Sequence, residues 1–239
     1  VKFDIVWGDL QSAPGVYVPA YRDSLLAGLA RCQALGLKAE ILVFPLLINY
    51  KDGTPQHYPQ FGVGLDDLTR YRDGNLYKWL DLPNKDYVQP SFSSVQGMAA
   101  VRRMYKEVAQ LVQSYITDGT LINFCIASGK EGEMTYPYEH NGTKVTDFSP
   151  VALADFRAWL QAKYNSPPAL NTAWGTSYPS FQAVGWDILP SESQFGISNE
   201  RLRDWQRWRI QRLRDFYVNA RAGVREIAPD LPCLAMSSS

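Results

Sequence analysis

Two nearly continuous apolar runs, residues 38–48 and 120–127, constrain the fold more than any other feature of the chain. An apolar residue at almost every position fits a strand covered on both faces, whereas a strand with one wet face alternates. Helical periodicity precedes each run. Leu25, Leu26, Leu29 and Ala30 share one face over residues 19–35, and Val101, Tyr105, Val108, Val112 and Tyr115 do so over 91–118. Gly36 and Gly119 stand where a helix C-terminal glycine belongs. Phe3, Ile5 and Trp7 alternate with polar neighbours in a first short strand, and residues 231–236 make a last one. Between them, Ser149-Pro150 reads as an N-cap followed by proline at the first helical position, opening a helix to Tyr164. A long helix over 199–227 turns Leu213, Phe216, Ala220, Val224 and Ile227 inward.

Strands separated by helices form a parallel sheet, because each crossover must return the chain to the same end. The pattern predicts an α/β fold of the (β/α)8 TIM-barrel type. Four strands are half of the eight that close such a barrel, so the chain is expected to cover about half to two-thirds of one. Residues 1–239 are expected to form a single, incomplete barrel domain, and Val1 in place of an initiator Met fits a removed leader or a piece of a longer chain.

Composition excludes several classes of function. Lys+Arg and Asp+Glu are both 24, and a chain of zero net charge lacks the basic footprint of a nucleic-acid binder. No apolar run is long enough for a membrane-spanning helix, and no signal peptide is visible. Cys32, Cys125 and Cys233 are odd in number, far apart and in apolar settings, which gives neither a disulfide framework nor zinc spacing. With only His57 and His140 beside them, no metal or other cofactor is expected. Aromatic residues are 13 % of the chain, many in loop-like sequence such as the long irregular stretch 49–90, and flat rings with polar edges suit sugars.

Ligands of parallel α/β folds meet the C-terminal ends of the strands. There the chain places Trp7 and Asp9 after the first strand, Asn49 and Tyr50 after the second, and Gly129-Lys130-Glu131-Gly132-Glu133-Met134-Thr135-Tyr136-Pro137-Tyr138 after the third. This rim is acidic and aromatic. It suits glycoside hydrolysis, in which one carboxylic acid protonates the leaving oxygen and a second carboxylate attacks or activates water. Glu133 is the first candidate for general acid/base and Glu131 the reserve. Trp7, Asn49, Tyr136, Tyr138 and Trp174 are candidates for substrate contact, although core packing competes for the tryptophans. Six arginines between Arg201 and Arg214 read as a solvated helix face paired with Asp204 and Asp215.

Residues 129–138 resemble the segment around the acid of β-amylases, with Gly-x-x-Gly-Glu followed by Tyr-Pro. Residues 155–176, including Leu170-Asn171-Thr172-Ala173-Trp174-Gly175-Thr176, are similar to a stretch shared by family 42 β-galactosidases and bacterial β-amylases. Trp7 with Pro14-Gly15-Val16-Tyr17, and Pro229-Asp230-Leu231-Pro232, resemble the second-strand and fifth-strand regions of family 42. The resemblance implies a (β/α)8 glycoside hydrolase of clan A with Glu133 at the acid position. Gly132 departs from the Asn that usually precedes that acid, and the second carboxylate is expected from a later strand. The function implied is β-galactosidase-like hydrolysis. The alternatives are a β-amylase-like α-glucan hydrolase and a non-catalytic carbohydrate-binding barrel. Open sheet edges and an apolar inner face built from Phe3, Ile5, Val43, Ile122, Phe124 and Leu234 are expected to drive self-association or completion by further sequence.

Overall fold

The computed structural model describes residues 1–54, 56–79, 82–128, 134–136, 145–186 and 199–235. The described elements run β1 (Lys2–Val6), α1 (Trp7–Leu10), β2 (Gln11–Ala13), β3 (Val16–Tyr17), α2 (Pro19–Ala34), β4 (Ala39–Phe44), β5 (Leu47–Tyr50), α3 (His57–Gln60), β6 (Lys85–Val88), α4 (Val95–Leu111), α5 (Gln113–Thr117), β7 (Leu121–Ile126), α6 (Pro150–Tyr164), α7 (Pro167–Trp174), α8 (Glu200–Arg225) and β8 (Cys233–Ala235). Among the described residues β1, β4, β7 and β8 pair in that order, and every pairing is parallel. β1 and β8 are the edges of this open sheet.

Local chemistry fixes the helix ends as the sequence predicts. Ser149 accepts a hydrogen bond from the Ala152 amide at 3.2 Å at the start of α6, with Pro150 in its first turn. Ser94 caps α4 through the Gly97 amide at 2.7 Å, so this helix begins at Val95 and not at residue 91. Gly119, at φ 74°, takes the left-handed turn that returns the chain from α5 to β7.

The sheet's two faces differ. Ile5, Ile41, Val43, Phe124 and Ile126 pack beneath α2, α4 and α8 in one core with Leu29, Val101, Tyr105, Phe216 and Val224. α8 crosses α4 so closely that a Cβ on Gly223 would lie 2.2 Å from the Arg102 carbonyl oxygen. The strand register puts Asp4, Val6, Glu40, Leu42, Phe44, Asn123, Cys125 and Leu234 on the opposite, inner face.

That placement corrects the inner face expected from sequence. Ile5, Val43 and Phe124 are buried under the helices, and Phe3 packs there with them. Ile122 sits at a register shift between β4 and β7, and of the six residues only Leu234 faces inward. Near the N-terminal ends of the strands the inner face is polar, with Lys2 3.4 Å from Asp4 and the Asn123 amide 3.4 Å from Glu40. Toward the C-terminal ends it is apolar and covered by an antiparallel hairpin, β5–β6, whose Ile48 and Tyr87 pack with Leu42, Phe44 and Cys125.

This hairpin emerges from the two ends of the stretch expected to be irregular. Residues 38–48 are two strands, β4 and β5, because Pro45 interrupts the run.

A second, aromatic cluster lies among α6, α7 and the first half of α8, where Phe148, Phe156, Leu160, Trp205 and Trp208 are buried. Cys32 and Cys125 are buried free thiols, and Cys233 is a partly exposed one. No described helix is long and apolar enough to cross a membrane.

Candidate active site

The C-terminal ends of β1, β4 and β7 bring three groups of polar side chains together at one end of the sheet. The first surrounds Asp9, in α1 directly after β1. Tyr87 donates its hydroxyl to Asp9, 2.9 Å from each carboxylate oxygen, and the Lys85 ammonium lies 3.0 Å from Oδ1. Lys85 and Tyr87 share a face of β6 because they are two residues apart in a strand. Burial pulls the Lys85 pKa down, but hydrogen bonds to Tyr87 and Asp9 outweigh it and hold the ammonium well above its ordinary value. Trp79 stacks at 17° on Phe44, at the end of β4, and meets Tyr87 edge-on at 5.7 Å.

The second group follows on the same hairpin face. Tyr50 and His57 meet edge-on, with the phenol oxygen 3.3 Å from Nε2. Burial depresses the His57 pKa, aided by the Lys85 charge and opposed by a hydrogen bond involving the Gly8 backbone and by Asp9.

The third group holds the end of β7. The Ser128 hydroxyl donates to the Thr135 carbonyl at 2.8 Å, which ties together the two flanks of segment 129–133. The Gln89 amide donates to the Ser128 carbonyl at 3.0 Å from the far side. Tyr136 is buried edge-on to Phe92, and the Arg209 guanidinium lies 3.7 Å from its ring centre and 4.5 Å from that of Trp205. Burial draws the Arg209 pKa down to about 10, against the pull of Tyr136 and Asp147. Asp147 is buried too, and desolvation raises its pKa although hydrogen bonds from Ser91 and Ser149 favour the ionised form.

The sequence-predicted site residues divide among these settings. Glu131, Glu133 and Tyr138 lie outside the described residues. Tyr136 is a buried anchor and not an exposed contact. Trp7 is a core residue: its ring is fully buried against Phe61, and its indole N–H donates to Gln11 at 3.0 Å. Trp174 packs with Phe156 in the aromatic cluster and donates to Asp204 at 3.0 Å. Trp7 stands directly after β1, but its indole, like that of Trp174, is engaged by its own local core. Asn49 lies on the opposite face of the hairpin, in a groove of about 530 Å³ that it shares with Arg70, Tyr71 and Lys78.

The arginine-rich helix pairs as expected at Arg212–Asp215 (2.7 Å), but it is not a uniformly solvated face: Asp204, 3.7 Å from Arg207, is fully buried and Arg209 turns inward. Sequence reasoning missed Lys85, Tyr87 and Trp79. Their one signal was a Lys-x-Tyr spacing inside a stretch that otherwise looks like loop.

Comparison with known proteins agrees with this architecture. The catalytic domain of a β-amylase from Paenibacillus polymyxa superposes with a TM-score of 0.73 at 16 % identity, over 98 % of this chain and 58 % of that one. The shared fold is part of an α/β barrel, of which the described residues supply four parallel strands. A β-galactosidase from Rahnella sp. R3 superposes at TM-score 0.60 and 20 % identity, over 96 % of this chain and 30 % of its own. Residues 134–238 match the family model Glyco_hydro_42, beta-galactosidase. A curated beta-galactosidase of Arthrobacter sp is 34 % identical over 85 residues, 34 % of this chain and 12 % of its own length. The chain thus spans little more than half of the first solved relative and an eighth of the curated one, and its resemblance is to family 42 with a β-amylase-like frame.

Proposed function

We propose that residues 1–239 form the part of a glycoside hydrolase barrel that carries the general acid/base, with Glu133 in that role and Glu131 in reserve. The observation that supports it is the tie between Ser128 and Thr135 at the C-terminal end of β7. It fixes the flanks of the acidic segment where a parallel α/β fold meets its ligand, and the family 42 match begins at the next residue after Glu133. Glu133 protonates the glycosidic oxygen as the bond to the sugar breaks, then takes a proton from the incoming water. Tyr136 and Arg209 anchor the C-terminal flank of the acidic segment. The substrate is a β-linked galactoside, and no nucleic acid takes part. The second carboxylate comes from beyond the four strands of the parallel sheet, so the site is completed by further sequence or by association of chains.

Replacing Glu133 with Gln in the complete enzyme tests this. Turnover of a nitrophenyl β-galactoside is expected to fall by about 10²–10⁴, the usual contribution of a general acid or base, with the melting temperature unchanged. A fully active variant overturns the assignment. The β-amylase-like frame supports a second reading, inverting hydrolysis of an α-glucan, and the configuration of the first-formed anomer by NMR separates the two. Sugar binding without turnover in the complete protein identifies a carbohydrate-binding barrel instead.

A further inference from the structure

We infer that Asp9, Lys85 and Tyr87, together with the Trp79 ring, form a binding subsite for one pyranose at the C-terminal end of the sheet. The choice of ligand rests on the glycosidase reading above; the geometry does not. Asp9 and Lys85 are separated by 76 positions and meet only because the β5–β6 hairpin folds back over the end of β1. Their side chains stay 14 % and 25 % exposed, so the pair faces solvent on one side.

Among the described residues its bonding capacity is unspent on that side. An ammonium has three donors and a carboxylate about four acceptor positions. Asp9 takes one donor from Lys85 at 3.0 Å, and the single Tyr87 proton is shared between the two oxygens. Among the described residues, acceptor capacity remains on Oδ2, and Nζ, bonded to Asp9 and Tyr87, keeps a third donor. An acceptor and a donor held side by side match two neighbouring hydroxyl groups of a sugar, one donating to Asp9 and the other accepting from Lys85. The pair carries no net charge and therefore favours a neutral polyol over an ion.

Trp79 supplies the apolar half of the site. It is partly exposed, backed by Phe44 and braced edge-on by Tyr87, the same ring that holds Asp9. An indole held in place on its far side offers a C–H-bearing sugar face a flat surface at low entropic cost.

Titration of the chain with methyl β-galactoside, followed by calorimetry and tryptophan fluorescence, tests the subsite without requiring turnover. The wild-type chain is expected to bind. Asp9→Asn and Lys85→Met should each weaken binding about tenfold or more, the loss expected for a hydrogen bond to a charged group. Trp79→Leu should abolish binding, and Tyr87→Phe should weaken it while keeping the ring. Trp159→Phe, in the aromatic cluster, should bind as wild type. Each variant is first checked for a cooperative melt; where Asp9→Asn or Trp79→Leu does not fold, Lys85→Gln and Trp79→Phe carry the test. A folded wild-type chain that binds no galactoside, or variants that bind as it does, overturn the subsite. Binding by this chain without hydrolysis by the complete enzyme overturns the glycosidase reading and leaves the subsite standing.

Discussion

Asp9 and Asp204 are built from the same parts and sit in opposite settings. Each carboxylate is held by a lysine and a tyrosine hydroxyl, with a tryptophan close by. At Asp204 these are Lys163, Tyr164 at 2.6 Å and the Trp174 indole at 3.0 Å, and the carboxylate has no exposed surface at all. At Asp9 the partners leave the pair open to water at a strand end, and the tryptophan stacks nearby instead of donating to the acid. The comparison teaches that residue types do not mark a site. The enclosed cluster joins α6, α7 and α8, while the open one keeps donors and acceptors for a ligand.

The largest effect should come from breaking the enclosed cluster. Asp204→Ala takes the acceptor from the Tyr164 hydroxyl and the Trp174 N–H and opens a buried space, while Lys163 keeps Glu200 at 3.2 Å. It should cost about 3–5 kcal/mol, the loss typical when one partner of a buried pair is removed. Urea denaturation followed by circular dichroism measures it, and a loss below about 1 kcal/mol would place Asp204 with the exposed pairs. Trp174→Phe keeps most of the ring but removes one donor to Asp204. About 1–3 kcal/mol is expected, the cost of leaving a buried polar group short of a partner.

Asp147 sharpens the comparison from a third side. It is buried like Asp204, but its Oδ2 has no hydrogen-bond partner among the described residues, and its pKa is raised by burial. A raised folded-state value means that the neutral acid stabilises the fold at low pH and that this contribution is lost as pH rises through the folded-state pKa. Asp147→Asn is uncharged throughout. It should melt higher than wild type at neutral and alkaline pH, with the gap closing as pH falls toward the ordinary carboxylate range. Parallel melting curves across pH check the sign, and a gap that widens on acidification refutes it.

The smallest stability effect is expected at the open site. Asp9→Asn should cost under about 1 kcal/mol, because water screens a partly exposed pair, while sugar binding falls by the larger factor given above. A stability loss as large as that of Asp204→Ala would make Asp9 a structural residue.

Much of the frame was legible in the sequence, but the orientation of its strands was not. The strands around Phe3, Val43, Phe124 and Leu234 stand where their apolar runs predict, and the helices between them cover one face. The runs gave no parity, however, because β4 and β7 are covered on both sides and lack the alternation that tells one face from the other. Phe3, Ile5, Val43 and Phe124 were thus expected inside the barrel and lie under its helices. The hairpin escaped for the opposite reason. Its second strand, Lys85-Asp86-Tyr87-Val88, is short and mixes charge with apolar residues, so a search for long apolar runs passes over it.

The sequence by itself determined what depends on neighbours along the chain. It set the alternation of strand and helix, the Ser149-Pro150 helix start, the glycine exits and the position of Glu133 a few residues beyond β7. Periodicity and capping act over a few residues and can be read from them. Only the tertiary structure decided which residues meet across long separations: Asp9 with Lys85, Tyr136 with Arg209, Asp204 with Lys163. It also withdrew Trp7 and Trp174 into cores. The reason is that an aromatic or charged side chain takes its role from the surface that packing leaves around it, and the whole sheet and its helices set that surface together.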